Sequence, residues 1–307
     1  MWNGRVDSET DRASFLFHQR VICKHVDDIE QYNSAYVIVG FTCDEGVRRN
    51  KGRLGAKMAP SAIRKLLGKL PYNLLEDLDT FDIGDVACLD EDLERAQKEL
   101  GQTVNKLFRK NKTPIILGGG HETLYGHYLG ARQFIGEDKT LGVINIDAHF
   151  DLRNDDIPTS GTMFRQILEQ DKNAGYLCLG VQEFGNTKAL FQTAEKLSCS
   201  YILEKNLAPD NFQQTYETID TFVKNYDCVI VTLCMDSIIS SAAPGVSAPS
   251  PFGIEPKTVR TLLGYIAGKE NVLSFDISEV NPLFDEDEKT VRLAAHLVAE
   301  IMSSYKK

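Results

Sequence analysis

Short apolar runs alternate along the chain with stretches in which apolar residues recur every three or four positions. The runs Tyr36–Phe41, Pro114–Leu117, Leu141–Asp147, Tyr176–Val181, Val229–Asp236 and Val272–Ile277 are apolar almost throughout. That continuity predicts parallel strands covered on both faces, because a half-exposed strand would alternate apolar with polar. Helical spacing predicts helices over Ser61–Leu67, Leu93–Arg109, Thr123–Phe134, Lys188–Leu197, Asn211–Val223, Thr258–Ile266 and Thr290–Ser304. Pro60 suits the start of the first of these, and the last puts Val291, Ala294, Ala295, Val298 and Ile301 on one face. No repeat, low-complexity segment or linker interrupts the alternation. The pattern predicts an α/β fold: one three-layer α/β/α domain over residues 1–307 with a mainly parallel central sheet, residues 1–35 being set apart as an N-terminal extension. In such sheets binding sites gather in the loops beyond the carboxyl ends of the strands.

Composition narrows the partners. The 307 residues carry a net charge of −10, which argues against nucleic acid, since phosphate binding needs clustered Lys and Arg. No run approaches the roughly 18 apolar residues of a membrane span, and the polar start MWNGRVDSETDR lacks the apolar core of a signal peptide. The seven cysteines are odd in number, scattered and without a CxxC pair, so neither a disulfide framework nor a zinc ribbon is expected. A reducing, cytoplasmic location is the expectation.

Chemistry concentrates where strands end. Asp147, His149 and Asp151 follow the run LGVINI at every second position, so in extended backbone all three point the same way. Two carboxylates and an imidazole converging there would suit divalent cations with an oxygen and nitrogen preference. A second strand ends in Gly118-Gly119-Gly120 followed by His121 and Glu122, the glycines permitting a tight turn and close backbone approach. A third ends in Thr232-Leu233-Cys234-Met235-Asp236, with Cys234 and Asp236 expected on one face. The fourth ends in Ser274-Phe275-Asp276-Ile277-Ser278-Glu279. His18, His25, His127 and His296 are left over; His127 and His296 lie on predicted helices and suit packing or surface better than ligation.

GGGHE, NIDAHFD, TLCMD and SFDISEVNP, in this order and spacing, resemble the metal-binding signatures of the arginase-like ureohydrolases, a superfamily that includes arginases, agmatinases and formimidoylglutamases. The resemblance runs from about Val37 onward and implies an arginase-like fold with two Mn2+ per subunit. One ion would take His121, Asp147, Asp151 and Cys234, and the other His149, Asp147, Cys234 and Asp236. A hydroxide between the ions, oriented by Asp151, would attack an amidine-like carbon while Glu279 paired with the cationic nitrogen. Relatives commonly form symmetric homo-oligomers, so a homo-oligomer is possible here.

Within the superfamily, Arg153 suggests an acidic substrate, because a guanidinium grips a carboxylate with two charge-assisted hydrogen bonds. The alternative is a surface Arg paired with Asp155 or Asp156. The stretches Ser160–Gln166, Ala243–Pro249 and Gly46–Ala56 look like those of formimidoylglutamases, and Phe164 stands where arginases and agmatinases generally carry a His. Together these imply hydrolysis of N-formimidoyl-L-glutamate to L-glutamate and formamide, a step in histidine breakdown. The alternatives are another ureohydrolase (agmatinase, arginase or guanidinobutyrase) or a member that has lost catalysis. Cys234 departs from the Asp of most relatives; a thiolate is a soft ligand, whereas Mn2+ favours oxygen. A reversible Cys43–Cys234 disulfide that blocks metal binding is a further expectation, requiring a Cα separation within about 7 Å.

Overall fold

The strands assemble into one parallel sheet whose centre is built from the four segments that carry the chemistry. The computed structural model describes residues 2–32, 35–74, 78–207 and 212–305. Among them the strands are β1 (Val21–Cys23), β2 (Ala35–Thr42), β3 (Asp79–Ala87), β4 (Lys112–Leu117), β5 (Leu141–Ile146), β6 (Ala174–Val181), β7 (Ser200–Leu203), β8 (Cys228–Cys234) and β9 (Val272–Ser278). Their spatial order is β1-β3-β2-β4-β9-β8-β5-β6-β7. The helices are α1 (Phe17–Arg20), α2 (Glu45–Arg49), α3 (Ala59–Leu67), α4 (Leu93–Arg109), α5 (Thr123–Ile135), α6 (Met163–Gln170), α7 (Lys188–Lys196), α8 (Phe212–Lys224), α9 (Pro256–Ala267) and α10 (Lys289–Ser304).

Successive strand residues face opposite cores. Ile115 and Leu117 of β4 join the core formed with α3, α8, α9 and α10, whereas Ile116 joins the core formed with α4, α5 and α6. Three layers follow directly, because strands buried on both faces need a helical layer on each. No helix among the described residues is long and apolar enough to cross a membrane.

The continuous apolar runs became strands, while more polar ones escaped the sequence reading. β3 carries Asp79, Asp82 and Asp85 and its distal half is partly exposed, so its apolar pattern is broken. β7 at one edge has no fully buried residue, and β1 at the other edge, within residues 1–35, is three residues long. Helices α1, α2 and α6 are short and were not foreseen. The predicted Asn211 lies outside the described residues.

Two strand ends also differ. β5 stops at Ile146 and β8 at Cys234, and Met235–Ser237 form a 3-10 turn. Asp147, His149 and Asp151 therefore do not lie on extended backbone; the segment bends at Ala148–His149 and Asp151 adopts φ 50°. The buried Ala148 and Phe150 anchor this loop from below, which leaves the polar residues to turn toward the rim.

Candidate metal centre

β4, β9, β8 and β5 are adjacent, so their carboxyl ends deliver four loops to one cleft. The cleft has an empty volume of about 470 Å3, and His121, His149, Asp151, Cys234, Asp236 and Glu279 line it together with Arg153. Asp147, fully buried, lies beneath. All eight residues singled out in the sequence are thus brought together. The loops that contain Asn50, Ser160 and Ser247, foreseen only as stretches of familial appearance, supply further wall.

Local geometry fixes each side chain. A Cβ on Gly119 would overlap the Cys43 carbonyl oxygen, so the glycine loop is needed for close approach to the segment after β2. The Cys43 carbonyl also accepts the Gly120 N–H at 3.0 Å. The backbone N–H of His121 donates to Glu279 Oε1 at 2.9 Å, tying two of the strand ends together. Asp151 and Glu279 both adopt left-handed backbone, at φ 50° and 66°, a costly conformation for a side-chain-bearing residue that recurs at functional sites. Glu122 turns away from the cleft: its Oε1 accepts the Gly46 N–H, and burial pushes its carboxyl up to about 7.

Ligand atoms of His121, Asp147 and Cys234 lie within 4.8 Å of one another, as do those of Asp147, His149 and Asp236. Asp147 belongs to both groups. His121 Nδ1 is 3.0 Å from both Asp147 Oδ2 and Asp151 Oδ2, which brings Asp151 beside the first group. His149 Nδ1 lies 3.4 Å from Asp236 Oδ2 and 3.6 Å from Asp147 Oδ1.

The electrostatics are those of a site with too much negative charge. Burial alone would lower both imidazoles, yet Asp147, Asp151 and Asp236 raise His121 and His149 well above the ordinary histidine value. Burial raises Asp147, but hydrogen bonds from His121 and His149 outweigh it and hold the carboxyl low. Glu279 is pushed well up by burial and by the charges of Glu122 and Asp236, and Asp151 is raised by burial and by Asp147. The Cys234 thiol rises through burial and three neighbouring carboxylates. Asp236 Oδ1 is buried with no hydrogen-bond partner. Four carboxylates, a thiol and two imidazoles share this pocket, with an orphaned oxygen among them. Such a set fits a pair of divalent cations, which would replace the protons that hold it together.

Arg153 is exposed on the cleft wall and donates from Nη1 to Asn50 Oδ1, while Asn50 Nδ2 donates to Ser160 Oγ at 3.1 Å. Among the described residues it forms no ion pair with Asp155 or Asp156. Phe164 does not reach the cleft; it stacks on Tyr176 at 3.9 Å and meets the His121 ring edge-on at 5.9 Å. Cys43 and Cys234 are both free thiols, and the sulfur beside Cys43 belongs to Cys88.

The sequence model of the arginase family matches residues 34–303. A formimidoylglutamase of Geobacillus sp. (strain WCH70) is 52% identical over 303 residues, covering 98% of this chain and 93% of the relative. Among solved structures, formimidoylglutamase from Bacillus subtilis superposes with a TM-score of 0.87 at 25% identity, over 97% of this chain and 94% of that one. Trypanosoma cruzi formiminoglutamase with Mn2+2 superposes with a TM-score of 0.79 at 26% identity, over 92% of this chain and 98% of that one.

Proposed function

The chain belongs to the arginase family, and from that premise we propose that it hydrolyses N-formimidoyl-L-glutamate to L-glutamate and formamide. The observation that carries the substrate is Arg153, a guanidinium on the wall of a cleft whose floor is acidic, turned toward Asn50 rather than toward the nearby aspartates. The substrate offers matching poles: a cationic amidinium for the floor and carboxylates for the wall.

His121, Asp147, Asp151 and Cys234 would hold one Mn2+, and His149, Asp147, Cys234 and Asp236 the other. When bound, the two cations supply an ionised water near neutral pH and stabilise developing negative charge. The side chains do the rest. Arg153, steadied by Asn50, grips a substrate carboxylate with paired charge-assisted hydrogen bonds. Glu279 accepts an N–H of the amidinium, whose charge favours the ionised carboxylate and thereby opposes the burial that raises it. Asp151 orients the attacking oxygen toward the formimidoyl carbon and accepts its proton. As the tetrahedral intermediate collapses, the bond from that carbon to the glutamate nitrogen breaks. The proton passes to this nitrogen, which leaves as the amine of glutamate, and the carbon departs as formamide. Asp151 and Glu279 carry the chemistry, and Arg153 with Glu279 the recognition.

The test is glutamate release from N-formimidoyl-L-glutamate by reduced protein loaded with Mn2+. Arginine, agmatine and 4-guanidinobutyrate run beside it as urea-release controls. Activity on the first substrate alone, abolished by a chelator, is the expected outcome. Urea from a control would move the substrate to that compound and leave Arg153 without its role.

A further inference from the structure

A polar chain runs from the cleft into the core behind His121, where an apolar interior would be expected. Thr232, Ser274, Asp276, His127 and Ser278 are each fully buried. Thr232 Oγ1 lies 3.0 Å from His121 Nε2 and donates to Asp276 Oδ1 at 2.7 Å. Asp276 Oδ1 also accepts from Ser278 Oγ at 3.2 Å. Asp276 Oδ2 lies 2.7 Å from His127 Nδ1, and His127 Nε2 lies 2.6 Å from Ser274 Oγ.

The directions of these bonds follow from counting hydrogens. A hydroxyl carries one hydrogen, and that of Thr232 goes to the Asp276 carboxylate, which offers only lone pairs. The oxygen of Thr232 can then meet His121 Nε2 only as an acceptor, so Nε2 carries a proton. His127 likewise gives its Nδ1 hydrogen to Asp276 and accepts at Nε2 the hydrogen of Ser274. Every donor points inward toward Asp276. The consequence at the other end is that His121 keeps Nδ1, the nitrogen facing Asp147 and Asp151, for the cleft.

We infer that Thr232, Asp276 and His127 are positioning residues for the first cation site: acting through Nε2, they hold the His121 ring in the tautomer and orientation that present Nδ1 as a ligand. The inference rests on the two-metal reading above. Sheet register builds the chain, since Thr232 and Asp276 are partners across β8 and β9. Helix α5 closes it, because His121 lies just before the helix and His127 in its second turn. One helix therefore connects the ligand to the far end of its own support. With every member shielded from solvent, no water stands ready to replace a deleted group.

The test compares Thr232→Val, which keeps the shape and removes the hydroxyl, with Thr232→Ser, which keeps the hydroxyl. Mn2+ affinity and stoichiometry are read by titration calorimetry and by electron paramagnetic resonance, with near-ultraviolet circular dichroism of the metal-free protein reporting the fold. Wild type is expected to bind two ions. Thr232→Val should lose about 10–100-fold in affinity at one position only, and Thr232→Ser should recover to within a few-fold of wild type. A second pair covers a misfolded Val variant: His127→Asn, whose amide can replace the Nδ1 donor, should bind better than His127→Leu. Two ions bound with wild-type affinity by Thr232→Val or by His127→Leu would overturn the inference and leave the two-metal reading standing. A wild type that binds no Mn2+ would overturn both.

Discussion

Among the described residues, two charge clusters on this sheet are built on opposite terms. Toward one edge, Arg64 of α3 is fully buried against Asp82 and Asp85 of β3. Its Nη2 donates to Asp82 Oδ1 at 2.9 Å and to the Gly84 carbonyl at 2.9 Å, while Trp2 Nε1 donates to Asp82 Oδ2 at 2.6 Å. There the cation is covalently part of the chain, its guanidinium fully buried. At the centre, four carboxylates and a thiol face two imidazoles across a cleft, and the missing positive charge is left to protons or to cations from solution. The difference separates a structural ion cluster from a binding site. Buried charge closed by fixed counter-charge holds elements together, whereas buried charge left open is a demand for a ligand.

The largest effect that could break this contrast is at Asp147, the carboxylate both proposed cation positions share. Asp147→Asn is expected to lower kcat/KM on the order of 10^3-fold or more, because several kcal/mol of cation-borne stabilisation go with it. Steady-state assays with Mn2+ titration would reveal any retained activity. Arg64→Leu should do the reverse. It leaves the buried Asp82 and the more exposed Asp85 uncompensated, costs about 3–5 kcal/mol and lowers the melting temperature by roughly 10 °C, while kcat/KM per folded molecule stays near wild type. A drop in activity without loss of stability would show that this cluster reaches the site.

Arg153→Ala sharpens the substrate side: KM for the acidic amidine should rise about 10–100-fold with little change in kcat, and Asn50→Ala should rise less. An unchanged KM would return Arg153 to the surface.

The pH dependence has a defined sign. His121 and His149 are raised in the metal-free fold, so their contribution to stability is fully present below about pH 6.5 and is lost as pH rises through the raised values. Mn2+ must displace these protons, so the rise in melting temperature on adding Mn2+ should grow as pH is raised; a shift that is constant with pH would contradict the displacement. The smallest effect is expected for Cys234→Asp, which exchanges sulfur for the oxygen Mn2+ prefers and should tighten binding by about tenfold, read by calorimetry.

Much of this was legible in one dimension. Largely apolar runs marked β2, β4, β5, β6, β8 and β9, because a strand covered on both faces needs no solvent-facing polar side to alternate with the apolar one. The chemistry was legible for the complementary reason: His121, Asp147, His149, Asp151, Cys234, Asp236 and Glu279 each stand where such a run breaks off. In β9, Ser274, Asp276 and Ser278 recur at every second position within an apolar strand, a signal of the buried chain that only pairing with β8 made interpretable.

The rest required three dimensions. Edge strands β1 and β7 and the aspartate-rich β3 are specified by neighbours rather than by their own composition. The convergence of Asp147, His149 and Asp151 was foreseen from extended backbone, but a bend and a left-handed Asp151 achieve it, since loop conformation is set by what packs beneath. Whether Arg153 would face Asp155 or the cleft was open in the sequence; Asn50, 103 positions away, decided it. The sequence by itself determined which residues are chemically able and near which strand ends they lie, because hydrophobic period and residue type are local properties. Which of them meet, at what distance and with which nitrogen facing the cleft, is decided by strand order and register, which bring together groups far apart in the chain.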